Sequence, residues 1–179
     1  IRRPPRSTLD RSSAASDVYK RQYLSFTSDV KVGVTRKSQV PTRWIDQGAI
    51  EAIEIAELPN RYLAGICEIE LKKYFKDKTN WRTMLTTNKS NIDLLSKKNE
   101  CYSILPEEAK NYFLSKSKTL KINYPISNGI ITPKSLNINI MNTFSGKLIG
   151  IKGQYLIFED STVFNVRSNE GLVINIKID

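Results

Sequence analysis

The sequence predicts an α+β protein, with helices and strands mixed in its first part and mainly strands in its second part. Between residues 60 and 75, apolar residues recur at the spacing of a buried helix face. After Ser117 they alternate with polar residues, as they do in half-buried strands. This change of pattern places the boundary between the two parts near residues 100–118.

The first part should open with two short strands, over residues 23–26 and 30–34, joined by a turn at 27–29. In the second of these, valines alternate with Lys31 and Gly33, which is typical of a half-buried strand. A short helix over residues 42–47 can begin after Pro41 and end at Gly48.

A third strand is expected over residues 52–58, where Pro59 stops it. Asn60 can then cap the most strongly patterned helix of the chain. The apolar positions of that helix follow helical spacing: Leu63, Ile66, Cys67, Leu71, Tyr74 and Phe75. Together these elements predict an α/β domain over residues 23–100.

Residues 77–81 are predicted to form a loop, and Ser90 with Asp93 resembles a capping box that begins the next helix. Another helix should begin at Pro106, so residues 101–117 are predicted to be a helical linker. Turn signals at 152–153, 160–161 and 169–171 separate the alternating segments that follow. These predict a small antiparallel sheet or barrel over residues 118–179, with the last strand around residues 173–176.

The opening segment, residues 1–22, has no apolar periodicity and is rich in Arg, Pro, Ser and Ala. A basic arm for nucleic acid and an Arg-rich transit peptide are alternatives, although Asp10 and Asp17 fit the transit peptide badly. The strings RRPPRSTL and SSAASDVYKRQ resemble translated sequencing adaptor. We therefore expect an artefactual, disordered segment, a protein that begins near Tyr23, and a natural N-terminus that is missing.

Charge gives only weak support for an acidic partner. The chain has 28 basic and 18 acidic residues, a net charge of +10. Residues 1–22 hold six of the basic and two of the acidic residues, which leaves 22 against 16 and a net charge of +6. A moderately basic chain permits a nucleic-acid partner but does not require one.

The residue types exclude several classes of chemistry. The chain has no histidine, so Ser-His and Cys-His catalysis and His-ligated zinc are excluded. Two cysteines are too few for a disulfide scaffold, and no apolar run approaches the ~18 residues of a membrane span. We expect a cytoplasmic protein with no membrane partner, and the sequence does not indicate its oligomeric state.

Several motifs carry a resemblance to a bacterial family. They read YLSFTSDVKVGVTR, QVPTRWIDQGA, LPNRYLAGICEIELKKYFKDKTNWRTML and KGQYLIFEDSTVFNVRSNEG. They are similar to domain-of-unknown-function family 2797 (DUF2797), and the likeness covers essentially all of residues 23–179. This resemblance implies no known activity.

A more remote resemblance connects the first domain to GIY-YIG nucleases. Two strands with a Lys-Val-Gly-x-Thr motif are followed by an arginine, by a helix with a glutamate, and by Asn-Trp. The sequence is closest to phage-type relatives whose second motif reads Lys-Ile-Gly. The matching positions are Tyr23, Lys31, Val32, Gly33, Thr35, Arg43, Ala64, Glu68, Leu71, Phe75, Asn80 and Trp81.

The GIY-YIG resemblance implies hydrolysis of a phosphodiester with a divalent cation, Mg²⁺ or Mn²⁺. Glu68 would hold the cation, which polarises the phosphate and stabilises the leaving oxygen. Arg43 would stabilise charge on the phosphoryl oxygens, and Tyr23 would position or activate the attacking water. Residues expected to contact phosphate or nucleic acid are Lys31, Arg36, Lys37, Asn80 and Arg82.

One departure from that pattern supports a second reading. Lys31 stands where the standard motif has a tyrosine, and a lysine with a pKa near ~10.4 is a poor base. As an ammonium it suits binding phosphate better than cutting a phosphodiester. Glu68 and Arg43 could also be a structural ion pair. The predicted function is therefore nucleic-acid binding with metal-dependent cleavage, and the alternative is a non-catalytic interaction module on a degenerate fold.

Overall fold

In a computed structural model, the described part of the chain forms two four-stranded sheets together with five α-helices. The structure describes residues 19–76, 78–127, 132–138, 140–141 and 143–178. Most of the segment predicted to be disordered, residues 1–18, lies outside the described residues. The α+β class predicted from the sequence is confirmed.

The first sheet has the order β2-β1-β3-β4, and every strand pair in it is antiparallel. Its strands are β1 (Lys20–Phe26), β2 (Val30–Arg36), β3 (Glu51–Leu58) and β4 (Leu120–Lys121). Tyr23 in the central strand β1 lies opposite Gly33 of β2 and Glu54 of β3. The register of β1 against β3 shifts between Gln22 and Tyr23.

The helices are α1 (Thr42–Asp46), α2 (Arg61–Leu71), α3 (Trp81–Thr86), α4 (Leu94–Ile104) and α5 (Glu107–Lys110). Short 3-10 turns lie at Lys37–Gln39 and Arg167–Asn169. Asn60 caps α2 as predicted, because its side chain accepts a hydrogen bond from the Leu63 amide. Gly48 follows α1 with a φ of +71°, a conformation that glycine adopts without strain.

The main core lies between the first sheet and helices α2 and α4. Leu24, Ile53 and Ile55 of the sheet are fully buried against this layer. From α2, the predicted positions Leu63, Cys67 and Leu71 enter the same core. The helical spacing correctly identified these positions as the face that packs on the sheet. Tyr74 and Phe75, predicted to continue the face, lie beyond the end of α2, and Tyr74 is 68% exposed.

The second sheet has the order β5-β8-β7-β6 and is open, so the barrel alternative is wrong. Its strands are β5 (Lys134–Ser135), β6 (Leu148–Lys152), β7 (Tyr155–Phe158) and β8 (Thr162–Asn165). The β5–β8 pair is parallel, whereas β6–β7 and β7–β8 are antiparallel. The described residues around 173–176, predicted as a strand, are not in a strand, and Val173 is 97% exposed.

Helix α3 joins the two parts of the molecule. Its buried Met84 and Leu85 pack with Ile157 and Val163 of the second sheet. The indole of Trp81 stacks on the ring of Tyr155, with centroids 5.7 Å apart and planes 12° apart. The loop predicted over residues 77–81 therefore runs into a helix that belongs to the second core.

The turn between β6 and β7 makes a second junction. Gly153 has a φ of +58°, and a Cβ there would lie 2.9 Å from the Asp46 carbonyl oxygen and from the Gly48 amide nitrogen. The turn packs so closely against the end of α1 that a side chain does not fit.

Three further features differ from what the sequence predicted. In the region predicted as a linker, Cys101, Leu105 and Ala109 are buried in the first core. Strand β4 pairs with β3 of the first sheet, although residues from 118 onward were predicted to belong to the second part. Helix α4 is capped by Asp93, which accepts from the Leu95 amide, rather than by Ser90.

Among the described residues, no helix is long and apolar enough to cross a membrane.

Candidate functional site

Tyr23 is buried at the centre of the first sheet, with 1% of its surface exposed. It packs with Trp44 of α1, and the ring centroids are 5.8 Å apart. Gly33, its partner across the β1–β2 ladder, leaves room for the ring: a Cβ there would lie 2.5 Å from the Tyr23 hydroxyl oxygen. The glycine of the Lys-Val-Gly motif therefore has a steric role.

The Tyr23 hydroxyl is bonded to the residue that follows α1 and is influenced by the charges of Arg43 and Glu68. It donates a hydrogen bond to Gln47 Oε1 at 3.1 Å, just after α1. Burial is the largest influence on the pKa of Tyr23 and raises it above its usual value. The Arg43 charge and hydrogen bonds with Gln47 and Arg43 lower this pKa, whereas the Glu68 charge adds to the rise. Residues from β1, α1 and α2 that are far apart in sequence thus act on one hydroxyl.

Burial makes Tyr23 unsuited to act as a base near neutral pH, because the raised pKa keeps its hydroxyl protonated. The hydroxyl holds Gln47 through its hydrogen bond and interacts with Arg43. Gln47 was not singled out in the sequence. It follows the Arg43–Trp44 pair by one helical turn, and that spacing is the signal that could have identified it.

Glu68 and Arg43 do not form the structural ion pair that was the alternative reading. Glu68 Oε1 lies 3.2 Å from Lys72 Nζ, one turn further along α2. Within the described part of the chain, no carboxylate lies within 4.0 Å of the Arg43 guanidinium. Arg43 is partly exposed, so its charge is available to a ligand from solvent.

The structure offers few protein ligands for the metal ion predicted at Glu68. In the part of the chain that the structure describes, no three Cys, Asp or Glu side chains are grouped to hold a metal ion. Mg²⁺ is often held by one or two carboxylates together with water and substrate phosphates. A site with fewer than three such side chains can hold a cation that arrives with a phosphate ligand.

Lys31 is buried, with 6% of its surface exposed. Its ammonium donates to the Thr79 hydroxyl at 2.9 Å, and Thr79 also lies 3.3 Å from the Thr27 hydroxyl. This hydrogen bond connects β2 to the segment that follows α2. The ammonium of Lys31, which was predicted to contact phosphate, therefore points into the protein.

The other predicted phosphate contacts do not converge on Tyr23. Lys37 Nζ pairs with Glu57 at 2.9 Å, and Arg21 binds the same carboxylate at 2.6 Å. Asn80 caps α3 by accepting from the Arg82 and Thr83 amides. The Arg82 guanidinium lies over the Trp81 ring at 4.3 Å, and the exposed Arg36 lies at the end of β2.

The comparison with protein families matches residues 13–174 to the family described as "Protein of unknown function (DUF2797)". The chain belongs to this family. The resemblance predicted from the sequence motifs is therefore confirmed, although the family description carries no activity. Searches of curated proteins and of solved structures find no match.

The family match corrects the predicted start at Tyr23. It begins at residue 13, so ten residues assigned to adaptor lie within it. The structure agrees for the last of these, because Lys20 to Gln22 are the first residues of β1. Gln22 is fully buried, and Arg21 pairs with Glu54 at 2.5 Å. Lys20, Arg21 and Gln22 are polar and do not alternate with apolar residues, so the sequence did not mark them as part of a strand.

Proposed function

We propose that this protein binds nucleic acid through its phosphate backbone, with Arg43 as the principal phosphate contact. One observation carries the proposal: Arg43 is held beside the Tyr23 hydroxyl and has no carboxylate partner among the described residues. A guanidinium presents a planar set of donors that matches two phosphate oxygens.

The surroundings of Arg43 support this role. Tyr23 and Gln47 are hydrogen-bonded to each other, and Arg43 acts on the same hydroxyl, so the guanidinium is anchored near one position. A donor that is ordered before binding loses less entropy when the ligand arrives. The net charge of the chain favours the approach of a polyanion.

Cleavage of the bound strand is a second candidate, and Glu68 is the observation that favours it. Its charge acts on Tyr23 together with that of Arg43, as the GIY-YIG resemblance implies. A bound Mg²⁺ or Mn²⁺ would supply a Lewis acid for the phosphate. Glu68 would hold the cation, Arg43 would stabilise negative charge on the phosphate, and Tyr23 would keep Arg43 oriented.

Binding is tested with fluorescent oligonucleotides: single-stranded DNA, double-stranded DNA and an RNA hairpin. The arginines of residues 1–18 would add affinity of their own, so the tests use a background in which Arg2, Arg3, Arg6 and Arg11 are serine. We expect Arg43→Ala to weaken binding at least about tenfold, the loss of one charge-assisted contact. Arg43→Lys should restore only part of the affinity.

Arg167→Ala is the matched control, because Arg167 is an exposed arginine beyond the second sheet. It should lower affinity far less than Arg43→Ala. Equal effects of the two variants would mean that charge alone, rather than the Arg43 site, determines binding. No binding to any of the three ligands by the background protein would contradict the proposal.

Cleavage is tested on the same ligands with Mg²⁺ or Mn²⁺. If the protein is a nuclease, we expect cleavage products that form only with the cation and that are absent with both Arg43→Ala and Glu68→Gln. Binding without cleavage would assign the protein to the non-catalytic class. Cleavage that persists in Glu68→Gln would exclude Glu68 as the residue that holds the cation.

A further inference from the structure

A cavity of about 230 Å³ lies between the two sheets, and neither Tyr23 nor Arg43 lines it. Ile50, just before β3, and the segment after β4 line it from the first sheet. Lys152, the last residue of β6, lines it from the second sheet. Junctions between structural layers are frequent places for small-molecule sites.

Lys152 is the unusual feature of this cavity, because it is a cation with only 1% of its surface exposed. Its ammonium donates to the Thr87 carbonyl oxygen at 2.5 Å and lies 5.7 Å from the centre of the Tyr124 ring. Neither partner carries a negative charge. No carboxylate in the described part of the chain lies within 4.0 Å of it, whereas buried charges in proteins are normally paired.

A second buried lysine shows the contrast. Lys98 is also fully buried, but its ammonium is hydrogen-bonded to two backbone carbonyls, those of Leu114 and Ser115. Among the described residues, Lys152 bonds to one such carbonyl, and the small exposed part of its surface lines the cavity. An ammonium has three donors, so Lys152 retains capacity for an acceptor that enters from the cavity.

The remaining lining residues define the class of ligand. Ile50, Ile122 and Ile126 supply apolar walls, and the exposed Asn88 and Asn123 supply amide groups where the cavity meets solvent. None of the described lining residues is acidic. The volume is below the ~300 Å³ at which drug-sized pockets begin, so the occupant is small.

We propose that this cavity binds a small organic carboxylate, with Lys152 as the cation that pairs with the carboxylate and the isoleucines in contact with its apolar body. A single ammonium matches a monoanion better than a phosphate dianion. Burial lowers the pKa of Lys152 to about 8, and a bound anion would favour the charged form and raise that pKa again. This proposal is independent of nucleic-acid binding.

The test titrates the full chain with sodium benzoate and sodium isobutyrate, and separately with the neutral benzamide and isobutyramide. Binding is followed by NMR of lysine side chains labelled with carbon-13, which also reports the pKa of Lys152. We expect saturable binding of a carboxylate at least tenfold tighter than its amide. The pKa of Lys152 should rise on binding.

Variants identify the contact. Lys152→Met should remove the preference for carboxylate over amide while the protein remains folded by circular dichroism. Lys147→Met is the matched control, because Lys147 is exposed immediately before β6 and pairs with Glu159. It should bind the carboxylate as the parent does.

Several results would overturn the proposal. They are the absence of saturable carboxylate binding, equal affinity for acid and amide, and an unchanged pKa of Lys152 at saturation. Tighter binding of inorganic phosphate than of either carboxylate would also overturn it. If Lys152→Met does not fold, Lys152→Arg is titrated in the same way. Because arginine keeps the positive charge, this variant should still bind the carboxylate more tightly than the amide, and loss of that preference would overturn the proposal.

Discussion

At the scale of single residues, the pair of Tyr23 and Gly33 determines whether the candidate site can form. The ring of Tyr23 occupies the space where a side chain of residue 33 would begin. Gly33→Ala should therefore destabilise the protein by about 1–3 kcal/mol, the usual cost of overpacking a buried position. Urea unfolding followed by circular dichroism measures the change.

Gly65→Ala is the matched control for that substitution. Gly65 lies inside α2, and among the described residues no atom apart from those of its own turn of helix lies within 4 Å of a Cβ built there. Alanine in a helix interior is favoured over glycine by roughly 0.5–1 kcal/mol, so this variant should be more stable than the parent. Equal destabilisation by both substitutions would mean that Gly33 has no steric role.

The candidate site was predictable in part, and the reason differs from residue to residue. Tyr23, Arg43 and Glu68 were selected by motif resemblance, and the charges of Arg43 and Glu68 both act on the Tyr23 hydroxyl. Lys31 was expected to face a phosphate, but its burial against Thr79 depends on a contact between residues 48 positions apart. No local pattern contains such a contact.

At the scale of elements, helix α4 has two candidate N-cap residues, Ser90 and Asp93. Asp93 accepts from the Leu95 amide, whereas Ser90 bonds only to Ile92, before the helix. Asp93→Ala should lower the free energy of unfolding by about 1 kcal/mol, the typical loss of an N-cap. Ser90→Ala should cost less, and the reverse order in urea unfolding would favour the capping box predicted from the sequence.

Elements were predictable where local pattern and packing agree. Helix α2 has the period of the face that it buries, and β3 was identified by its run of apolar residues before Pro59, so both were predicted within a few residues. Strand β4 pairs with β3, which lies more than 60 residues earlier, and its sequence does not indicate which sheet it joins. Residues around 173–176 alternate like a strand, but pairing needs a partner as well as a pattern.

At the scale of the whole molecule, α3 should make the two sheets unfold together. Met84 is 3% exposed and packs with residues of the second sheet, while Gly48 of the first part lies against its sulfur. Met84→Ala should lower the free energy of unfolding by about 2–5 kcal/mol. In the parent, urea transitions followed by circular dichroism and by tryptophan fluorescence should coincide. Two separate transitions in the parent would show that the sheets are independent.

The buried ammonium of Lys152 predicts a pH dependence of stability. Burial lowers its pKa to about 8 in the folded state, against ~10.4 when unfolded. Between these values the unfolded chain binds more protons, so this group makes the folded state more stable as pH rises. The stability of Lys152→Met relative to the parent should be highest below pH ~8 and decline towards pH ~10.4. A difference that is constant across this range would contradict the prediction.

The most direct test of the central claim is the salt dependence of oligonucleotide binding by the parent and by Arg43→Ala, both with the four N-terminal arginines replaced by serine. Each phosphate contact contributes close to one unit to the slope of log affinity against log salt concentration. If Arg43 contacts phosphate, the slope should become shallower by roughly 0.7–0.9 in the variant. An unchanged slope would contradict the claim that Arg43 binds the nucleic-acid backbone.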